Sequence, residues 1–249
     1  MYSDIAQIYD RLNSDIDYNV WVQYIENIFK KFGCKPCIIL ELACGTGSFA
    51  VLMSKKGYEM ICSDISEQML LIAREKAENQ KQDILFLQQD MSSFELYGTV
   101  GAIVCLLDSL NHLTSMEDVK NMIALSHNYL DSGGLLIFDI NTINKLKTIY
   151  GDNVFYVDDE EFTCLWQCQY DPVNSISDIE FTLFLKEGEL YKRYDDSVTE
   201  KAYEINELKR ICTDTGFECL GVFDEFTFNT YNKGSERVFF VCKKRDKDL

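Results

Sequence analysis

Proline is almost absent from this chain, at 2 of 249 residues, and histidine is equally scarce at 2. With 47% hydrophobic residues beside so little proline, extended disordered tracts are excluded and a sizeable core is available, enough for the chain to fold alone. The two histidines, His112 and His127, cannot complete a zinc site around the Cys34–Cys37 C-x-x-C spacing, which has neither a second pair nor a thioredoxin-like context. Basic residues are short as well: 24 Lys and Arg face 41 Asp and Glu, a formal net charge of −17. That imbalance removes the counterion-release term and the basic footprint on which phosphate backbones and anionic membranes depend, so nucleic acid is a disfavoured partner. The one dense basic run, Lys243 to Arg245, reads as a solvated tail. No apolar run approaches the roughly 18 residues of a bilayer span, and Met1 to Asp10 is polar and acidic, which points to a cytoplasmic protein. Cysteine is not lacking, at 10 residues, but Cys44, Cys62, Cys105, Cys164 and Cys242 sit singly within apolar runs. They read as small buried hydrophobes in a reducing compartment rather than as a disulfide framework.

Hydrophobic spacing then gives the organisation. Trp21, Val22, Ile25, Ile28, Phe29 and Phe32 recur every three or four residues and stop at Gly33, an amphipathic helix with a glycine cap. Cys37 to Leu42 is an apolar run of the kind that forms a strand buried on both faces. Further strands are expected at Glu59–Cys62, Ile84–Gln88, Val100–Leu107 and Leu135–Ile140, with helices at Ser66–Asn79 and Glu117–Leu130 between them. Ser115 to Asp118 resembles a capping box at the start of the last helix, and Gly133 with Gly134 is expected to close it. Alternating strand and helix implies an α/β, doubly wound, mostly parallel sheet. After Ile140 the pattern changes to an antiparallel meander of three strands, Phe162–Tyr170, Ile179–Lys186 and Leu190–Asp195. A helix at Asn206–Thr213 and strands at Cys219–Phe223 and Arg237–Cys242 follow. The expected domains are therefore 1–141 with 204–249, interrupted by an inserted β subdomain at 142–203.

The chemistry concentrates in Glu41-Leu-Ala43-Cys-Gly45-Thr-Gly47, which leaves a buried strand and enters a helix. Glycines there let a ligand approach the backbone closely, and the helix start favours negative charge. Gly45, Gly47 and Ala50, with Asp64 lying 64 − 45 = 19 residues beyond the first glycine, also satisfy a dinucleotide fingerprint. The two readings part at Glu41, because a carboxylate at the strand end suits a ligand carrying an ammonium group and adds unhelpful charge near a pyrophosphate.

At this point the sequence resembles the class I S-adenosylmethionine-dependent methyltransferases, and most nearly the small-molecule branch of aminosugar and glycine N-methyltransferases. The resemblance rests on Glu41, Gly45 and Gly47 for the E/D-x-x-x-G-x-G motif, on Asp64 at the end of the second strand, and on Asp90 with Met91 after the third. It implies a Rossmann-like sheet of seven strands with an antiparallel last strand, and S-adenosyl-L-methionine as cofactor. In the family the second-strand acid binds the ribose hydroxyls, so Asp64 is expected to do so; Asp90 would contact the adenine amino group, Met91 would offer backbone contact, and Ile65 and Met69 would flank the adenine. The segment from Leu106 and Leu107 to Leu113 resembles the one that faces the methylthio group. Tyr9 with Asp10, then Tyr18 and Trp21, resemble the N-terminal helix pair that closes over the donor. Ala43 belongs to the same cofactor loop.

Each of these has a plainer alternative: Glu41 and Asp64 as helix caps, Asp90 as a loop acid, Tyr9 and Tyr18 as packing aromatics. Their order after three successive strands favours the ligand reading. His112, after the fourth strand, is the candidate general base, whereas mid-helix His127 is expected to pack or face solvent. The expected reaction is in-line methyl transfer to a nucleophilic N or O of a small molecule, needing no metal, with tRNA or protein methylation and a non-catalytic cofactor binder as rivals. Acceptor contacts are expected from the insertion, with Trp166, Tyr191, Arg193 and Tyr194 as candidates, although the same meander could serve a homodimer interface.

Overall fold

The computed structural model describes residues 6–245. After a 3₁₀ turn at Ala6–Ile8 come helix α1 (Tyr9–Leu12) and helix α2 (Tyr18–Phe32), whose start is capped by the Asp17 side chain accepting from the Asn19 amide. Gly33 ends α2 in the left-handed conformation that a side chain would resist. The core then alternates: β1 (Ile38–Leu42), α3 (Ser48–Lys55), β2 (Glu59–Asp64), α4 (Glu67–Asn79), β3 (Ile84–Gln88), β4 (Val100–Cys105), α5 (Met116–Tyr129) and β5 (Leu130–Asn141). The insertion carries four strands, β6 (Val154–Asp158), β7 (Phe162–Asp171), β8 (Ile176–Glu187) and β9 (Leu190–Lys201). Helix α6 (Ile205–Thr215), β10 (Phe217–Asp224) and β11 (Arg237–Lys244) complete the chain.

The main sheet has seven strands in the order β3-β2-β1-β4-β5-β11-β10. Six strands run in one direction, and β11 slots between β5 and β10 antiparallel to both. Strand alternation divides the core: Ile39, Ala102, Leu135, Ile137, Phe239 and Val241 pack with α2, α3 and α4, while Leu40, Ile103, Leu136, Phe138, Val238 and Phe240 pack with α5 and α6. Both faces of every central strand are covered, as the continuous apolar runs require. The chain moves outward from β1 to β3 and returns at β4, so the β1/β4 boundary is the switch point where ligands bind in open α/β sheets.

Four expectations are corrected. Gly133 and Gly134 do not stop α5; the helix ends at Tyr129, and the pair lies inside β5, where Gly133 takes φ +73° and a Cβ on Gly134 would meet the Gly101 carbonyl oxygen at 2.9 Å. The glycines thus serve a bulge against β4, where the register slips between Val100 and Ala102. Ser115 does cap α5, but it accepts from the Glu117 amide. The meander gains β6, an edge strand beside β7. The basic run is not a free tail: Lys243 and Lys244 close β11, and Lys244 Nζ donates to the Leu130 carbonyl at 2.6 Å. No described helix is long and apolar enough to cross a membrane.

Candidate active site

The carboxyl end of β1 gives way to a turn in which Ala43 (φ +53°), Gly45 (φ +53°) and Gly47 (φ +72°) all adopt left-handed backbone. At Gly47 an added Cβ would lie 3.0 Å from Ala73 Cβ of α4, so this glycine is needed for helix packing. At Gly45 the nearest atom would be Tyr9 Cε1, 4.0 Å away, so this glycine faces a cavity. The loop is tied to β2 by the Gly45 amide donating to Asp64 Oδ2 at 2.8 Å, and Asp64 Oδ1 accepts the Ser66 amide at 2.8 Å. Ser66, not Asp64, caps α4, by accepting from the Met69 amide.

Tyr9, Tyr18, Trp21, Glu41, Ala43, Gly45 and Leu107, seven residues named from the sequence, line one cavity together with Cys44, Thr46, Phe49, Leu106 and Ser109. It encloses about 30 Å³, room for roughly one water, because α1 and α2 rest on the glycine loop. Glu41 is buried in its wall; burial pushes its carboxyl up to about 8, against a hydrogen bond from the Cys62 thiol at 3.8 Å to Oε2. A carboxyl so placed is complementary to a ligand cation that would restore its charge. Burial and the neighbouring Tyr18 raise the Tyr9 phenol, which stays neutral.

The remaining predicted positions are spread along the same sheet edge. Met69 is a buried residue of α4 and Ile65, just before that helix, is exposed. Asp90 lies just past β3, where the Gln89 amide bonds the Asp64 carbonyl; its Oδ1 accepts from the Ser92 amide at 2.7 Å and hydroxyl at 2.8 Å. Met91 Sδ lies 3.9 Å from Cys105 Sγ. None of Gly47, Asp64, Ile65, Met69, Asp90 or Met91 lines the cavity.

A second cavity of about 540 Å³ lies beyond Tyr9 and Leu107, which it shares with the first. One wall is the insertion sheet, through Val157, Cys164, Trp166, Ile179, Phe181, Val198 and Glu200; the other carries Asp108, His112, Lys145, Tyr150 and Arg237. Of the four insertion contacts expected, only Trp166 lines it. Tyr191 is exposed, Arg193 forms an exposed ion pair with Asp195 at 2.8 Å, and Tyr194 packs in the Ile8–Phe162 cluster. His112 Nδ1 lies 3.4 Å from the Thr199 carbonyl oxygen. The other histidine, His127, packs edge-on against Phe217.

Sequence reasoning missed the charges of this cavity. Arg237, at the start of β11, pairs with Asp139 and with Asp108 at 2.6 Å, and reaches Glu225 at 3.2 Å. Glu200 is 4% exposed, and Asn141 Nδ2 donates to its Oε2 at 2.9 Å. Lys145 Nζ in turn bonds Asn141 Oδ1 at 3.0 Å. The two carboxyls are driven apart: burial acts to raise Asp108, yet Arg237 and Lys145 hold it below the ordinary range, whereas burial and the Asp108 charge push Glu200 up to about 8. One donor atom each from Asp108, His112 and Glu200 lies within 4.8 Å of the others. A usable signal existed: Val198 and Glu200 occupy alternate inward positions of β9, and an acid at an inward position needs a reason.

A methyltransferase domain model matches residues 39–134. Over 245 residues the chain is 34% identical to a "putative methyltransferase" of Geobacillus sp. (strain WCH70), covering 98% of this chain and 99% of that one. A crystal structure of an S-adenosylmethionine-dependent methyltransferase from Clostridium acetobutylicum ATCC 824 superposes with a TM-score of 0.89 at 29% identity, over 98% and 99% of the two chains. The dTDP-3-amino-3,4,6-trideoxy-alpha-D-glucopyranose N,N-dimethyltransferase of Streptomyces venezuelae is 26% identical over 138 residues, 55% of this chain and 56% of that protein. The glycine loop, the seven-stranded sheet and an end-to-end relative together make this chain a member of the S-adenosylmethionine-dependent methyltransferases.

Proposed function

We propose that the protein methylates a primary or secondary amine on a small, partly apolar molecule. One observation carries this reading: the 540 Å³ cavity adjoins the glycine-loop cavity across Tyr9 and Leu107, and its aromatic wall surrounds two carboxyls, Asp108 and Glu200. An amine bound there is held by charge at one end and by Trp166, Phe181 and Tyr150 along its body. The aminosugar acceptor in the name of the Streptomyces relative is of this kind.

On this reading Glu41 holds the donor's ammonium group, the turn through Ala43 and Gly45 lets the donor approach the protein backbone closely, and Asp64 reaches the ribose hydroxyls while fixing the loop. Asp90, Met91, Ile65 and Met69 form the adenine end, and Leu107 separates donor from acceptor. Bound S-adenosylmethionine supplies an electrophilic methyl group on sulfur. The chain's own part is to align the acceptor nitrogen with that methyl and to exclude water, for which Tyr9, Tyr18 and Trp21 close the donor side. Residues 142–203 are read as the acceptor-side subdomain, because the inner face of the insertion sheet lines the cavity.

The test is a turnover screen for S-adenosylhomocysteine release with primary amines, aminosugars, amino acids, phenols, sugar alcohols and tRNA. Turnover is expected with amines alone. Turnover of hydroxyl compounds or tRNA, with none of any amine, would overturn the proposal.

A further inference from the structure

Resting on the amine reading, we propose that Glu200, on the last strand of the insertion, is a catalytic residue: it takes the proton from the bound ammonium and so frees the nitrogen that attacks.

Three features of the cavity lead to this. First, Glu200 and Asp108 form an unequal pair. Asp108 is pinned as a carboxylate by Arg237 at 2.6 Å, whereas Glu200 forms no ion pair with a Lys or Arg among the described residues and is anchored by the neutral Asn141 amide. Pairs of carboxyls with opposed environments divide into a fixed charge and a mobile proton. Second, the two meet His112 within 4.8 Å, so an amine seated among them touches both the fixed charge and the proton acceptor. Third, Glu200 lines the same cavity as Tyr9 and Leu107, the two residues shared with the donor side. The groups facing Glu200 are Asp108 and His112 after β4, Lys145 and Tyr150 on the turn after β5, Cys168 on β7 and Arg237 on β11. Burial and Asp108 outweigh Lys145 and Arg237, so the carboxyl titrates near 8 and can hold a proton at neutral pH.

The step balances. The ammonium gives one proton to the Glu200 carboxylate, and the neutral amine's lone pair forms the new N–C bond. The methyl's bond to the donor sulfur breaks with its electrons staying on that sulfur, which becomes a neutral thioether. The product leaves as the methylated ammonium, and the proton left on Glu200 passes to solvent as the next ammonium binds.

The experiment uses the full chain and whichever amine of the screen is turned over; if none is, the amine reading and this inference fall together. Glu200→Gln keeps the shape and an acceptor for Asn141, so it is expected to melt like wild type and to bind S-adenosylhomocysteine unchanged. Its kcat should fall at least 100-fold. The wild-type rise of kcat/KM with pH through an inflection near 8 should vanish, and Glu200→Asp should recover part of the rate. Binding of the amine to the wild-type S-adenosylhomocysteine complex, measured calorimetrically in phosphate and in Tris, should release close to one proton at pH 7, and Glu200→Gln should release less. A variant with wild-type kcat, pH profile and proton release on a confirmed amine would overturn the role of Glu200 while leaving the amine reading intact.

Discussion

The Gly45 amide and the Asp64 carboxylate, 19 residues apart, are joined by a 2.8 Å hydrogen bond that binds the ligand loop of β1 to the end of β2. Asp64 is therefore a structural member of the site as well as a candidate ribose ligand. Asp64→Ala should lower stability by about 1–3 kcal/mol, because it strands the Gly45 and Ser66 amides, and should weaken S-adenosylhomocysteine binding at least tenfold. Denaturant unfolding with and without ligand separates the two losses. Normal ligand affinity in a destabilised variant would leave Asp64 with the loop role alone.

Glu41 should make stability pH-dependent. The unfolded chain releases this proton near 4.5, while the folded protein keeps it up to about 8. The favourable contribution is thus whole below pH 4.5, declines as pH rises, and is gone above about 8, a change of a few kcal/mol. Glu41→Gln should flatten this component of the stability curve. Wild type is expected to bind S-adenosylhomocysteine more tightly as pH rises from 6 to 8, where the ligand's ammonium favours ionised Glu41, and the same variant should lose that increase. Parallel calorimetric titrations that rise equally would remove Glu41 from ligand binding.

The two glycines of the loop should respond differently to alanine. Gly47→Ala combines left-handed strain with a 3.0 Å approach to Ala73, and should cost more than the roughly 1–2 kcal/mol of strain alone. Gly45→Ala carries the strain but meets only Tyr9 at 4.0 Å, so it should melt higher than Gly47→Ala and lose more of its ligand affinity relative to its stability. Thermal melts with and without S-adenosylhomocysteine check the ordering; the reverse ordering would contradict the geometry.

His112 shares the acceptor cavity with Glu200, and its contribution depends on the acceptor. With an amine, His112→Ala should lower kcat by about tenfold or less, since the ring then only helps to orient the substrate. A loss of 10²–10⁴, the range for a base acting on a hydroxyl in the transition state, would make His112 the proton acceptor. Steady-state rates for the variant on the amine found in the screen decide between them.

Legibility in the sequence followed the range of the interactions. The strand, turn and helix around Glu41, Gly45 and Gly47 are contiguous, and a buried parallel strand leaves an unmistakable apolar run. Of the seven named residues that line the first cavity, that supersecondary unit fixes Glu41, Ala43 and Gly45 locally, while Tyr9, Tyr18, Trp21 and Leu107 reach it from α1, α2 and the end of β4. Asp108, Glu200 and Arg237 instead meet through long-range pairing: β11 inserts beside β5 and sets Arg237 opposite Asn141, whose side chain holds Glu200. No local period announces such a meeting. Strand β6 was hidden for another reason, since as an edge strand it alternates between exposed and half-buried positions and buries none of its side chains fully. The Gly133–Gly134 pair carries the signature of a helix stop, and only its closeness to Gly101 reveals a bulge.

Tyr9, Asp10 and Arg11 are consecutive, yet they hold three different parts of the molecule. Tyr9, with Leu107, lines both cavities; Asp10 bonds Lys76 of α4 at 2.6 Å and Thr46 of the glycine loop at 2.5 Å; Arg11 bonds Asp159 at 2.9 Å and Glu161 at 2.5 Å on the insertion. This short helix therefore ties the glycine loop, α4 and the insertion to one wall, and a displacement of it alters both cavities at once.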